Sequence, residues 1–478
     1  GTGTTTINGG TLVLGGSGNL GSGALTFAAG TGLTINQTLA LSQTTTGPGT
    51  IVSTGSCTIS GNMSGFTGSY THNSSTVSSS FTSVNAASAN AAYHIASTQG
   101  SLQGLIAGVN TGTNTLQLGS LGGVPGSLCR NSLSTTGTNT LQIGNLNTDT
   151  EFAGTLGGGG GTLALTKVGT GILTLSGPCT YNGSTLVSAG TLRVNGSTAA
   201  TSAVTVANNA TLSGGGSIGG ATTIQTGGNL SPGADTAALT FSNNLTVQAG
   251  ANVRLEVSRT ANSCDKLVVT GTFTRGGNLI VTSIGAPLAG GETFDLFDAG
   301  TISGSFTSVS LPTLASGLLW NTSQLNNGII SVDSIAATYA GWAGGYGFPP
   351  GEADPSDDPD GDGLNNTLEW MLGTHPLTSN AVAMPVQTVS GSTIPGADPG
   401  KHYLTLSARI RKLFTGITIV PLANPDLNQL DTPASEGVVS SYQVNDLGEF
   451  EDRVWYFTQA IEDTPQQRAF MRLKFVTP

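Results

Sequence analysis

The chain has 478 residues, 72 of them Gly, and a formal net charge of −11; charged side chains make up 9%, against about 25% in ordinary globular domains. That balance excludes a nucleic-acid binder, which needs a basic face. The 37% hydrophobic content with few charges argues against disorder, and no apolar run approaches the about 18 residues of a membrane-spanning helix.

The chain opens on GTGTTTINGGTLVLGG (1–16), already a short alternating strand followed by a glycine turn, with no polar or helical cap. GGSGNLG (15–21) contains the glycine spacing of a dinucleotide fingerprint (Gly16, Gly18, Gly21). No helix follows and no acid lies about 20 residues on, so it is read as chance. It also lacks the aspartate of the calcium-binding nonapeptide, having Asn19 there. TGTNTLQLGSL (111–121) and TGTNTLQIGNL (136–146) match at nine of eleven positions. Fainter copies follow as GTLALTKVGTGILTLSG (161–177), GTLRVNG (190–196), ATLSGGG (210–216) and GNLSPG (228–233). Strand-and-turn units at this period predict a β-solenoid over residues 1–335, each coil burying its apolar face on its neighbours. At about 20–25 residues and about 4.8 Å per coil, it would be a rod about 60–80 Å long. Cys57, Cys129, Cys179 and Cys264 do not fall at that spacing. They are expected as separate thiols packed as small apolar residues, with disulfides the alternative.

Residues 149–332 carry a resemblance. DTEFAGTLGGGGGTLALTKVGTGILTLSGPCTYNGSTLVSAGTLRVNGS, then ATLSGGGSIGGATTIQTGGNLSPG, DKLVVTGTFTRGGNLIV, FDLFDAGTISGSF and LLWNTSQLNNGIISV, resembles the autotransporter-associated β-strand repeat of secreted bacterial surface proteins. Residues 1–148 resemble it more loosely. The resemblance implies a right-handed β-helix exported to the cell surface and implies no particular activity. The membrane β-barrel of autotransporters, which reads as many about 10-residue alternating segments, is not found in these residues.

Enzymatic readings fare poorly. GGSIG (215–219) matches a nucleophile-elbow pattern without the strand–turn–helix context, and His72, His94, His375 and His402 are scattered. A polysaccharide lyase would need carboxylates and cations on one face. Arg254, Glu256, Arg259, Asp265, Lys266, Arg275, Glu292, Asp295 and Asp298 offer the one concentration in the solenoid, and surface charge accounts for them better. No catalytic residue is assigned.

Composition changes after residue 335. Of the 41 charged side chains, 25 lie from Glu352 onward, and the four tryptophans (320, 342, 370, 455) all lie from 320 onward. AATYAGWAGGYGFPPGEADPS (336–356) reads as a short helix or turn opening a linker over 336–379. DPDGDGLNNTLEW (358–370) then reproduces the ligand ladder of the EF-hand loop. Asp358, Asp360 and Asp362 stand at positions 1, 3 and 5, Gly363 at 6, the Leu364 carbonyl at 7, Asn366 at 9 and Glu369 at 12. Four carboxylates this close repel unless a hard cation neutralises them, so Ca2+ is the expected ligand, with a solvated acidic linker as the plain alternative. Pro349, Pro350 and Pro355 exclude an entering helix. The motif therefore resembles the half-hand of dockerin and thrombospondin type 3 repeats, with one exiting helix over NNTLEWMLG. Leu368, Met371 and Leu372 fall on one face of that helix, Gly373 ends it, and Asn365 at position 8 argues against a paired hand. The expected role is to stiffen the joint between the solenoid and the terminal domain.

Residues 380–478 alternate as HYLTLSARI, FTGITIVPL, VVSSYQV, RVWYFTQAI and AFMRLKFV, predicting a small β-sandwich. The favoured function is an extracellular structural protein. It would be the subunit of a bacterial surface or matrix fibre built from copies of itself, head to tail, because an uncapped repeat end invites another chain. The alternative is a monomeric adhesin or glycan-binding module on a solenoid stalk, with Tyr403, Trp455 and Tyr456 of the sandwich stacking on sugars. A lyase comes third.

Overall fold

The computed structural model describes residues 2–98, 104–233, 236–261, 263–315, 318–322, 324–334, 339–379, 386–412, 418–425, 439–447, 450–464 and 469–476. The chain divides into two compact units. The first comprises Gly1–Leu288, Thr293–Thr313 and Thr322–Ile330; the second comprises Ala289–Glu292, Leu314–Asn321 and Ser331–Pro478. Among the described residues no helix is long and apolar enough to cross a membrane.

The first unit is a right-handed parallel β-solenoid with three faces. Its strands are short because each lays a few alternating residues along one face before a Gly, Asn or Ser corner turns the chain. The near-identical segments found in the sequence are successive turns of one face. Thr113–Leu118 pairs in parallel with Thr138–Ile143, Thr113 opposite Thr138 and Leu118 opposite Ile143, and Thr162–Lys167 follows. Leu116, Leu118, Leu141, Ile143 and Leu165 point inward and are at most 1% exposed. Burial of one such side chain contributes about 2 kcal/mol. A second face stacks Thr11–Leu14, Gly32–Ile35 and Thr50–Ser53, and continues through Ile172–Leu175, Thr191–Val194 and Thr211–Gly214. The third begins at Leu39–Leu41 and Cys57–Ile59.

The period is not constant. On the first face the inward positions run Leu116, Leu141, Leu165, Thr185, Val204, Thr222, Leu245, Phe273 and Ile302. A turn thus shortens from 25 residues to 18 and lengthens to 29, with the difference taken up in corners and in a bulge between Val269 and Thr272. Close stacking selects glycine at some corners: a Cβ on Gly144, whose φ is 122°, would lie 2.1 Å from the Val168 carbonyl oxygen.

Polar side chains reinforce the stack. Asn278 donates to the Asn252 carboxamide at 3.0 Å and Asn252 to that of Asn229 at 3.2 Å, an amide ladder across three turns. Lys167, 1% exposed, donates from Nζ to the carbonyls of Val168 (2.7 Å), Gly169 (2.9 Å) and Ala189 (3.3 Å). Burial lowers its ammonium to about 8. The later turns end in an aromatic cluster. Phe273, Phe297 and Phe306 meet edge to face. The Arg275 guanidinium lies 5.8 Å from the centroids of Phe297 and Phe306 while donating to Gly304 O at 2.8 Å.

The four cysteines are free. Cys129 and Cys179 share one inward column, with Leu156 between them.

The second unit is antiparallel. Leu318–Asn321 forms a hairpin with residues 331–334, and two short helices follow, α1 (Tyr339–Ala343) and α2 (Asn366–Leu372). A four-stranded sheet then runs in the order Val386–Ser390, His402–Arg411, Phe450–Phe457, Val439–Leu447, and Thr418–Asn424 pairs with Phe470–Val476. Leu404, Leu406, Ile410, Trp455 and Phe457 from the larger sheet pack with Ala423 and Met471 from the smaller, which makes a small sandwich. Residues 380–385, where the sandwich is expected to begin, and 413–417 in its second expected strand lie outside the described residues.

Candidate metal centre

The acidic loop closes on itself through backbone donors. Asp358 accepts from the N–H of Gly361 and of Gly363, both at 3.0 Å. Asp360 accepts from Asp362 N at 3.2 Å, and Asp362 from Leu364 N at 2.9 Å. Alternate side chains thereby turn inward, and Gly363 makes the reversal at φ 91°. One carboxylate oxygen from each of Asp358, Asp360 and Asp362 lies within 4.8 Å of the others. Glu369 stands outside this triad, although the charges of the triad are felt at its carboxyl.

Position 9 is built by α2. Asn366 is fully buried, and its Nδ2 donates to the carbonyls of Glu352 and Asp354, each at 2.9 Å. That fixes which side of the carboxamide carries the oxygen. Thr367 ties its N–H and its hydroxyl to Pro355 O at 3.0 and 2.9 Å. Asn365, the residue that argued against a paired hand, is the N-cap of α2 and accepts from Leu368 N at 3.0 Å. Gly373 ends the helix in the left-handed region at φ 74°.

The site tests well for a hard cation. Three buried oxygens have no hydrogen-bond donor: Asp360 Oδ2, Asn366 Oδ1 and Glu369 Oε2. They belong to positions 3, 9 and 12, where an oxygen-ligating loop presents its acceptors. No hydrogen bond to the Leu364 carbonyl at position 7 forms among the described residues. Glu369 is fully buried, and its other oxygen is met by the Thr374 hydroxyl at 3.4 Å. Burial first, then the charges of Asp360 and Asp362, raise its carboxyl to about 7. An orphaned buried carboxylate beside three others is costly unless neutralised.

The helix differs from expectation in one respect. Leu368 and Leu372 pack into the sandwich core with Leu404, Leu406 and Trp455. Met371 turns away, joining Trp342 and Trp370 with Tyr339 and Phe348 around them. Both sides of α2 are therefore buried, because its seven residues are wedged between α1 and the sheet. Arg411, 4% exposed, holds the helix end by donating from Nε to Trp370 O at 3.0 Å, with its guanidinium 4.7 Å from the Phe450 ring centroid. No spacing in the sequence marks that arginine. The loop is thus built into the second unit and its helix into that unit's own core.

Other candidates resolve differently. Tyr403 and Trp455 are 7% and 4% exposed and belong to cores, and Tyr456 is half-buried beside Tyr403 and Tyr442. The three therefore do not make one open sugar-stacking face: Trp455 lies in the core between the two sheets, whereas Tyr403 and Tyr456 pack on the opposite face of the larger sheet with Ile394 and Ala460. In the charged stretch, Asp265 is 1% exposed and accepts from the N–H of Ala237 and Glu256 at 2.8 and 2.9 Å. Lys266 pairs with Asp295 and with Asp298, and Arg275 sits in the aromatic cluster. These groups brace strands.

A family model described as the passenger-associated-transport repeat matches residues 2–14 and 165–194. Those residues form strands of the first turn and of two consecutive later turns of the solenoid. The Adhesin BmaC autotransporter of Brucella suis biovar 1 (strain 1330) is 36% identical over 128 residues, which is 26% of this chain and 4% of that protein. The chain therefore spans a small fraction of the length of the curated relative that it matches. The first unit is a parallel β-solenoid, and two of its stretches match the passenger-associated-transport repeat.

Proposed function

We propose that this chain is an adhesive β-solenoid displayed outside a bacterial cell, without enzymatic activity, and that Ca2+ held at Asp358, Asp360, Asp362, Leu364, Asn366 and Glu369 consolidates its second unit. The observation that carries the adhesive reading is the passenger repeat lying on stacked turns of a chain similar to part of an autotransporter adhesin. The calcium reading is supported by the three donor-less buried oxygens at ligand positions. The protein's contribution is a rigid, almost uncharged scaffold; the cation supplies neutralisation of packed carboxylates.

Beads coated with the full chain should adhere to at least one of a panel of epithelial cells, bacterial cells and polysaccharide gels, above albumin-coated beads. Adhesion to none would remove the reading. The head-to-tail fibre favoured on sequence gives way to it, because the relative's own description is that of an adhesin. Negative-stain microscopy in calcium should show separate particles; filaments would restore the fibre. No release of unsaturated products from polygalacturonate or alginate is expected, and such release would revive the lyase.

A further inference from the structure

Residues 352–357 (EADPSD) lead into the acidic loop without helix or strand. Ala353, Asp354, Pro355 and Ser356 are exposed and Glu352 and Asp357 half-buried, so little side-chain burial anchors them. What holds this stretch is its backbone. Asn366 Nδ2 donates to the carbonyls of Glu352 and Asp354, each at 2.9 Å, and Asn366 N–H to Asp357 O at 2.7 Å. Thr367 donates twice to Pro355 O, and the Tyr339 hydroxyl once to Ala353 O at 2.8 Å. Five carbonyls in six residues are held in this way, four of them by two adjacent residues at the start of α2.

Asn366 works from both ends. Its side chain is fully buried. Nδ2 is committed to the stretch before the loop, while Oδ1 has no hydrogen-bond donor and belongs to the ninth ligand position. The carboxamide is planar, so a rotation that released the two carbonyls would also swing Oδ1 off the loop. A cation on Oδ1 draws electron density from the amide and makes Nδ2 a better donor. Ligation and the clamp on residues 352–354 therefore favour each other, by the same factor in each direction. Charge adds a second link. Glu352, Asp354 and Asp357 bring the carboxylates between residues 352 and 369 to seven, and these repel one another until a divalent cation neutralises part of the charge.

We propose that residues 352–357 are a calcium-operated strap: the Asn366 carboxamide latches them to α2 while its oxygen ligates the cation, and loss of the cation frees them to proteolysis. The inference rests on the calcium reading of the loop and names what that cation controls. Opening is local, because Leu368 and Leu372 keep α2 in the sandwich core by contacts that the strap does not share. A glutamate-specific protease reads the open form at one bond of the strap, Glu352–Ala353.

The test digests the full chain with such an endoprotease at pH 8 and follows the Glu352–Ala353 bond by mass spectrometry, with calcium affinity measured separately by calorimetry. At about a hundredfold excess over Kd, calcium should slow that cleavage about a hundredfold, since only the unlatched form is cut. Asn366→Asp keeps a ligand oxygen, adds charge and loses the donor. It should bind calcium more tightly than the parent, yet at the same excess over its own Kd its protection should fall below about tenfold. Thr367→Val removes only the hydroxyl bond to Pro355 O and should speed cleavage about fivefold, with calcium and without it. Calcium bound without protection, Asn366→Asp protected as fully as the parent, or Thr367→Val cleaved at the parent's rate would each overturn the strap. If Asn366→Asp does not fold, the parent and Thr367→Val still decide it. No calcium taken up in calorimetry would remove the metal reading, and the strap with it.

Discussion

Replacing Glu369 with Gln should stabilise the metal-free second unit at pH 8 and abolish its response to calcium. Glu369 is fully buried, and burial and the neighbouring aspartates raise its carboxyl from 4.5 to about 7; a shift of that size corresponds to about 3 kcal/mol. The folded state holds this proton more tightly than the unfolded state does. For this group, stability is therefore complete below pH 4.5 and is lost as pH rises to about 7. Glutamine never ionises, so the metal-free variant should keep about 2–3 kcal/mol that the parent lacks at pH 8. Calcium at a hundredfold excess over Kd should add about 2.7 kcal/mol to the parent and far less to the variant. Tryptophan fluorescence reads this unit selectively, because Trp320, Trp342, Trp370 and Trp455 all belong to it. A metal-free variant no more stable than the parent at pH 8, or one shifted equally by calcium, would refute the reasoning.

Lys167→Met leaves three carbonyls without their shared ammonium and should cost the solenoid about 3 kcal/mol, read as a lower denaturant midpoint by far-UV circular dichroism. Asn252→Leu interrupts the amide ladder on both sides and should cost about 1–2 kcal/mol by the same measurement. Burial raises the thiols of Cys57, Cys129 and Cys179 to about 11, 12 and 12. Ellman's reagent at pH 8 should therefore find these three silent in the native protein, and all four thiols should react in guanidinium.

The solenoid is legible because identical segments must stack: a strand repeated 25 residues on lies beside its copy, Leu116 against Leu141. The shorter turns near Val204 and the longer ones near Phe273 are less legible, since only inward positions are constrained and corners vary freely. At the loop, ligand spacing is written locally and survives in Asp358, Asp360 and Asp362. The burial of both sides of α2 is not, because it depends on Trp342 and Trp455, far off in sequence. Tyr403 and Trp455 mislead for a related reason: alternation marks the two faces of a strand without saying what covers each, here the second sheet over Trp455 and Ile394 with Ala460 over Tyr403.

A turn spending 18 residues, from Val204 to Thr222, and one spending 29, from Phe273 to Ile302, each advance the stack by one strand, about 4.8 Å. The first unit thus works like a screw thread, with pitch fixed by main-chain bonding and indifferent to what hangs at the corners. Whole turns could be added or deleted in equal steps, and foreign segments spliced into the roomier corners, without altering the reach set by the remaining turns.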